Sequence, residues 1–199
     1  ARRQGKTGYA PHIGKKLFAW FESADSKRRF YFLELLRAGY TDYVLRGEAL
    51  EYMLAQKLPK EPLAKFSAAA DQVFADRSQW QAALKSWGIR DERHVRIATE
   101  GALLGSALEH GLNPELAIVS DDAGQFDVLC HALCWIHAER LLAKLVGFND
   151  SQRQALEQTR TAVWQLYRDL KEYQAEPTAD AKLKLEHRFD ALCTTKTCF

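Results

Sequence analysis

The sequence predicts an α/β fold in which a helical segment interrupts a mixed sheet and a helical hairpin ends the chain. Three observations support this. The apolar run at 116–119 is typical of a strand buried on both faces of a mostly parallel sheet. Helical periodicity dominates the segment 47–112, which therefore reads as an insertion between two strands. A second helical pattern fills the segment 149–199 and is broken by Pro177.

The composition is that of an ordinary globular chain. It has 199 residues, of which 47% are hydrophobic, enough to bury the core of one domain. No apolar run approaches the roughly 20 residues that span a bilayer, and no signal-peptide pattern opens the chain. The cysteines are confined to the last third, unlike those of a disulfide-stapled secreted domain: Cys130, Cys134, Cys193 and Cys198. These features predict an intracellular protein with reduced thiols and no membrane partner.

The opening segment, 1–46, is predicted to hold a hairpin, a helix and a strand. Glycines and hydrophobic alternation define the hairpin, and a serine before an apolar helical pattern marks the helix start. The elements are strands at Tyr9–Ile13 and Leu17–Phe21 joined at Gly14-Lys15, a helix capped by Ser26 and stopped by Gly39, and a strand at Tyr43–Leu45. Parallel pairing of this last strand with the one at 116–119 is one arrangement.

The later helices are placed by the same periodicity. They are Glu48–Leu58, one or two helices within Ser67–Gly88, Arg93–His110, and a hairpin of Asp150–Tyr173 and Ala179–Leu192. Trp80 and Trp87 are interpreted as core residues, and Gly101 and Gly105 as positions where another element packs closely. A further helix is predicted to begin after Gly124.

Two adjacent carboxylates follow the predicted strand at 116–119. Asp121 and Asp122 stand where a strand end would face the ligand-binding edge of an α/β sheet. Carboxylates in such a place bind hard divalent cations such as Mg²⁺. Aspartate is equally common as a helix N-cap, because its oxygen accepts hydrogen bonds from free backbone amides. Spacing alone leaves both interpretations open.

The first 29 residues are strongly basic, with eight cationic side chains and two acidic ones. Such an excess could face the phosphates of a nucleic acid. The alternative is a solvated hairpin edge, where lysine protects against aggregation. The candidate DNA-binding residues are Arg2, Arg3, Lys6, Lys15, Lys16, Lys27, Arg28 and Arg29.

A cysteine and histidine stripe is expected on the helix after Gly124. Cys130, Cys134 and His137 are spaced to project from one helical face, and Cys193 or Cys198 could complete a zinc site. The spacing matches no common zinc module, so buried thiols beside a hydrogen-bonded histidine are preferred to zinc. A Cys-His hydrolase is weaker still, because no third group orients the base.

The segments SDDAGQF and CWIHAERL together resemble the DDE transposases of bacterial insertion sequences, most closely the insertion-sequence sixty-six family. The resemblance extends, in the same order, to ARRQGKTGYAPHIGKKLFAWF, SADSKRRFYFLELLRAGYTDYV and RIATEGALLGSALEHG. It implies a ribonuclease H-like mixed sheet whose three acids hold two Mg²⁺ or Mn²⁺ ions. Asp121 matches the second acid, and Asp122 stands where the family often has glycine. Cys134 and His137 match a Cys-x-x-His segment expected near the site.

The resemblance also implies that the first acid lies before Ala1 and the final glutamate after Phe199. The chain is therefore expected to be a single incomplete catalytic domain, inactive alone, of a protein that cleaves and joins DNA. Its parts would be 1–46, the insertion 47–112, the strand-acid-helix core 113–148 and the hairpin 149–199. Expected partners are transposon ends and target DNA in a bacterial cytoplasm, with the intact protein a candidate homo-oligomer. The alternatives are a non-catalytic DNA-binding or assembly module and a zinc-stabilised helical domain.

Overall fold

The structure, a computed structural model, describes residues 2–3, 6–7, 12–15, 18–21 and 28–196. The chain divides into two compact units, one of residues 1–118 and 123–131 and one of residues 119–122 and 132–199. Helices dominate, and the described strands form sheets of two strands each. The mixed character of the fold is confirmed, but the described residues form no larger sheet.

Two short hairpins open the first unit. β1 (Arg2–Arg3) pairs antiparallel with β2 (Lys6–Thr7), and β3 (His12–Lys15) pairs antiparallel with β4 (Phe18–Phe21). The second hairpin was predicted to turn at Gly14-Lys15, but both residues belong to β3. Gly14 is paired with Ala19 and Lys15 with Phe18, so the predicted turn position is wrong. Glycine is a common turn signal, and its presence within β3 explains why the sequence placed the turn there.

The next strand forms a two-stranded sheet with a short strand that lies within the helical segment 47–112. After α1 (Arg29–Leu36), β5 (Tyr43–Val44) pairs antiparallel with β6 (Val73–Phe74). The Leu45 amide extends this ladder by donating to the Gln72 carbonyl at 3.0 Å. Parallel pairing of β5 with the strand before Asp121 is therefore wrong. Val73 and Phe74 are too short a run to stand out among the surrounding helices.

Four helices of the segment 47–112 pack with α1 and β5 around one core. They are α2 (Gly47–Ala55), α3 (Lys60–Ala68), α4 (Arg77–Ser86) and α5 (Glu92–Glu109). Asp76 caps α4 and Asp91 caps α5 by accepting backbone amide hydrogens, as aspartate does at helix starts. The longest of the four, α5, contacts α1, α2 and β5 and is buried along most of its length.

Two glycines let α5 lie against its neighbours, as predicted. A Cβ atom at Gly105 would lie 2.2 Å from the Val44 carbonyl oxygen of β5. A Cβ atom at Gly101 would lie 2.9 Å from the Ala49 carbonyl oxygen of α2. Only a residue without a side chain permits backbones to approach this closely. The RIATEGALLGSALEHG segment is therefore a packing face.

The predicted role of Trp80 as a core residue is confirmed. Its ring is 1% exposed and stacks on Tyr43, with the ring centroids 5.6 Å apart. Its indole nitrogen donates to the Thr99 hydroxyl at 3.0 Å, so its one polar atom is satisfied. Trp87 is half-buried and packs edge-on against Phe66. Both tryptophans are packing residues of the first unit.

The stretch from 115 to 145 differs from its predicted strand-turn-helix order. β7 (Ala117–Ser120) is present, but it alternates between exposed and half-buried residues and is not buried on both faces. A short 3₁₀ helix (Gly124–Phe126) and a second strand, β8 (Cys130–Leu133), replace the expected long helix. Leu129 has a positive φ of 54°, a conformation that ends helical geometry before β8.

Three helices make up most of the second unit. They are α6 (Trp135–Ala143), α7 (Asp150–Ala175) and α8 (Ala179–Thr194), so the predicted C-terminal helical hairpin is confirmed. Asn149 caps α7 by accepting from the Gln152 amide, and Thr178 caps α8 after Pro177. The buried Glu139 of α6 accepts two hydrogen bonds from Arg160 of α7, at 2.7 and 2.9 Å.

None of the helices in the described part of the chain combines the length and apolar character that a bilayer crossing requires.

Candidate functional site

Asp121 and Asp122 lie in an exposed loop directly after β7. The Ser120 hydroxyl donates to the Asp121 carbonyl oxygen at 2.6 Å. The next helical turn begins at Gly124, with Ala123 in the cap position and no side-chain hydrogen bond there. Neither aspartate therefore occupies a helix N-cap, and that interpretation of the pair is wrong. Both aspartates are exposed residues that directly follow a strand.

The start of α6 is tied to the same strand end. The Cys134 backbone amide donates to the Ser120 carbonyl oxygen at 2.6 Å. Cys134 is the N-cap residue of α6, and His137 lies in the first turn of that helix. All of these residues belong to the second unit. The loop that carries Asp121 and the helix start that carries Cys134 and His137 are thus joined by a backbone hydrogen bond.

Cys134 and His137 also interact with each other. The nearby His137 side chain, and then the His137 backbone amide, hold the pKa of the Cys134 thiol below its usual value, although the thiol makes no cap hydrogen bond. A helix N-terminus favours a thiolate because backbone amides point toward it. The pair is consequently a polar, partly exposed group beside the strand end and is unlike a buried packing thiol.

The predicted cysteine and histidine stripe on one helix face is wrong. Cys130 lies in β8, whereas His137 lies in α6, so helical spacing does not relate them. Cys193 is an exposed residue near the end of α8, and Cys198 lies outside the described residues. Within residues 28–196 and the described strands, no three Cys, His, Asp or Glu side chains are grouped as metal ligands.

Only two of the eight basic residues predicted to bind DNA have described side chains. The backbones of Arg2, Arg3, Lys6 and Lys15 lie in β1, β2 and β3, and Lys16 and Lys27 lie outside the described residues. Arg28 is exposed. Arg29, at the start of α1, donates to the Gly124 carbonyl oxygen at 2.6 and 3.1 Å. The role of Arg29 is therefore at least partly structural.

Arg29 also belongs to a buried polar network that the sequence analysis missed. Its guanidinium donates to the Tyr52 hydroxyl at 2.9 Å, and that hydroxyl donates to the Glu100 carboxylate at 2.7 Å. Glu100 is 4% exposed, and its nearest cation is Arg29 at 3.9 Å. Burial, and then the Glu100 charge, raise the pKa of the Tyr52 phenol. The sequence held one indication of this network, because Glu100 is an acidic residue among the small apolar residues on the buried face of α5.

This network borders a cleft in the first unit with a volume of about 1240 Å³. Side chains from α1, α4 and α5 line it, together with Gly124 and Gln125 of the 3₁₀ helix. Five arginines and three acids are among the lining residues: Arg28, Arg29, Arg77, Arg93, Arg96, Asp91, Glu92 and Glu100. Arg29 and Glu100 form an ion pair with each other. The other lining residues are four arginines and two acids, so the net charge of the cleft is positive.

The chain is 36% identical to an uncharacterized protein, y4jO, of Sinorhizobium fredii (strain NBRC 101917 / NGR234), over 199 residues. The alignment covers 99% of this chain and 62% of that protein, so the chain spans about three-fifths of its relative's length. No protein-family model matches the sequence, and no solved structure matches it.

Proposed function

We propose that the chain forms part of the catalytic region of a DDE transposase with a ribonuclease H-like fold. Such a protein cuts and joins DNA strands. The observation that carries the proposal is the position of Asp121, which directly follows β7 in an exposed loop outside any helix cap. In the resemblance of SDDAGQF and CWIHAERL to that family, Asp121 matches the second catalytic acid. The Cys134 amide joins the second segment to the first by donating to the Ser120 carbonyl oxygen.

Asp121 suits a divalent cation by its chemistry. An exposed carboxylate offers the hard oxygen ligands that Mg²⁺ and Mn²⁺ prefer. In phosphodiester transfer, a bound pair of such ions would activate the attacking oxygen and stabilise the leaving oxygen. Asp121 is the ligand that the resemblance assigns to this chain, and no three metal-ligand side chains are grouped among the described residues. Asp122, Cys134 and His137 are then neighbours of the site.

A direct test is Mn²⁺ binding, measured by calorimetric titration of the wild-type chain beside Asp121→Asn and Asp122→Asn. The two substitutions remove the same charge from adjacent exposed residues, so each controls for the other. We expect Asp121→Asn to abolish the binding that Asp122→Asn largely retains, with both variants melting at the wild-type temperature. Equal losses in the two variants, or full binding by Asp121→Asn, would contradict the assignment.

The second candidate is a non-catalytic DNA-binding or assembly module. The arginine-lined cleft of the first unit favours it, because that cleft could hold phosphates without any metal chemistry. DNA binding by a wild-type chain that takes up no Mn²⁺ would support this candidate over the first. In either case we expect DNA as the partner, a bacterial cytoplasm as the location and assembly of the intact protein into oligomers.

A further inference from the structure

The arginine-lined cleft was not indicated by any sequence pattern, since its cations come from separate helices. Arg77 begins α4, and Arg93 and Arg96 lie in the first two turns of α5. Residues 93 and 96 are three apart, a spacing that places side chains on one helical face. The fold thus collects three cations that are up to nineteen positions apart in the chain.

In the described part of the chain, no carboxylate lies within ion-pair distance of these three arginines. The Arg93 charge does reach Asp91, whose pKa is lowered first by the His94 backbone amide and to a smaller extent by Arg93. Arg77 lies over the Phe30 ring at 5.8 Å, and Arg93 donates to the Gln56 carbonyl oxygen at 3.1 Å. All three side chains are exposed. An exposed guanidinium without a carboxylate partner is available to an external anion.

We propose that this cleft binds the phosphodiester backbone of DNA, with Arg77, Arg93 and Arg96 as its phosphate contacts. The choice of DNA as the partner rests on the proposed function. The new element is that the phosphate contacts are made by helices α4 and α5. The guanidinium fork matches the geometry of phosphate oxygens. Uncharged donors also line the cleft, and backbone recognition commonly uses such groups: Tyr31, Gln81 and Gln125.

The size of the cleft favours a polymer over a small anion. Its volume of about 1240 Å³ exceeds that of most small-ligand pockets, which hold about 300–1,000 Å³. Charges spread over α4 and α5 suit successive phosphates better than a single one. An acidic polypeptide is the other polymer that such a cleft could bind. The Asp91 and Glu92 carboxylates at the cleft would repel an acidic polypeptide and DNA alike, so the test must distinguish the two.

The test is fluorescence anisotropy of a labelled 20-base-pair duplex, titrated with the 199-residue chain in EDTA between 50 and 200 mM NaCl. The variants are Arg77→Gln and Arg96→Gln, because Arg93 also holds the end of α2. The matched control is Arg90→Gln, an exposed arginine of the same unit that does not line the cleft. Circular dichroism melting of every variant confirms that each one is folded.

We expect each cleft variant to bind several-fold more weakly and to lower the log–log salt slope by about 0.9, the value for one lost phosphate contact. Arg90→Gln should keep the wild-type affinity and slope. An equal loss in Arg90→Gln, no loss in the cleft variants, or equal competition by polyglutamate would overturn the proposal. Absence of DNA binding would also overturn it. That result would not affect the proposed Mn²⁺ site at Asp121, because the DNA assay contains EDTA and Mn²⁺ binding is measured separately.

Discussion

Replacing Gly105 by alanine should destabilise the first unit by an amount that the structure sets. The added Cβ would lie 2.2 Å from the Val44 carbonyl oxygen, whereas ordinary van der Waals contact begins at 3.4 Å. The new methyl group would be fixed to the backbone of α5, and the oxygen that it meets belongs to the backbone of β5. Neither can turn aside as a flexible side chain can.

Two opposing effects determine the size of the change. Overpacking a core usually costs about 1–3 kcal/mol, and a clash of backbone with backbone belongs at the upper end of that range or beyond. Alanine gains about 1 kcal/mol over glycine within a helix, which offsets part of the cost. We therefore expect a net loss of about 2 kcal/mol, or a melting temperature lower by about 4–8 °C in a chain of this size.

Urea denaturation followed by circular dichroism would measure this loss. Gly47→Ala is the control, because Gly47 begins α2 and a Cβ there would meet nothing within 4 Å. Gly101→Ala should fall between the two, since its clash involves the Ala49 carbonyl at 2.9 Å and the flexible Met53 side chain at 3.0 Å. A Gly105→Ala protein as stable as Gly47→Ala would show that α5 and β5 are not packed this closely.

Two further predictions concern the second unit. Arg160→Ala removes the guanidinium that donates to the buried Glu139 carboxylate and should cost about 1–3 kcal/mol. Arg153→Ala removes an exposed ion pair with Asp150 and a hydrogen bond to the Gly147 carbonyl, and should cost less than about 1 kcal/mol. Equal urea midpoints for these variants would contradict the difference. Because the nearby His137 lowers the pKa of the Cys134 thiol, alkylation of Cys134 by iodoacetamide should accelerate at a lower pH than that of a cysteine in a short unstructured peptide. His137→Ala should shift the Cys134 profile to higher pH, as mass spectrometry of the labelled peptide would show.

The features that the sequence predicted correctly are those with long or unambiguous local patterns. α7 and α8 carry extended periodicity and side-chain caps, and the spaced glycines of α5 indicate a close-packed face. Such elements are specified by residues near one another in the chain.

The features that were missed depend on short or distant interactions. Phe126, Leu129, Leu133 and Ile136 have helical spacing, but the positive φ of Leu129 and the pairing of β8 with β7 give that stretch a different structure. The network of Arg29, Tyr52 and Glu100 joins residues up to 71 positions apart, and no local pattern reports such a contact. The arginines of the cleft escaped notice for the same reason.

The pairing of β5 with β6 affects how this chain can be shortened. If 47–112 were deleted, Tyr43 and Val44 would lose their hydrogen-bonding partner strand, and α1, which carries the buried Leu33, would lose its contact with α5. The resulting unpaired strand and bare apolar surface would promote aggregation. Residues 28–112 should accordingly be kept together in any shortened version of this chain.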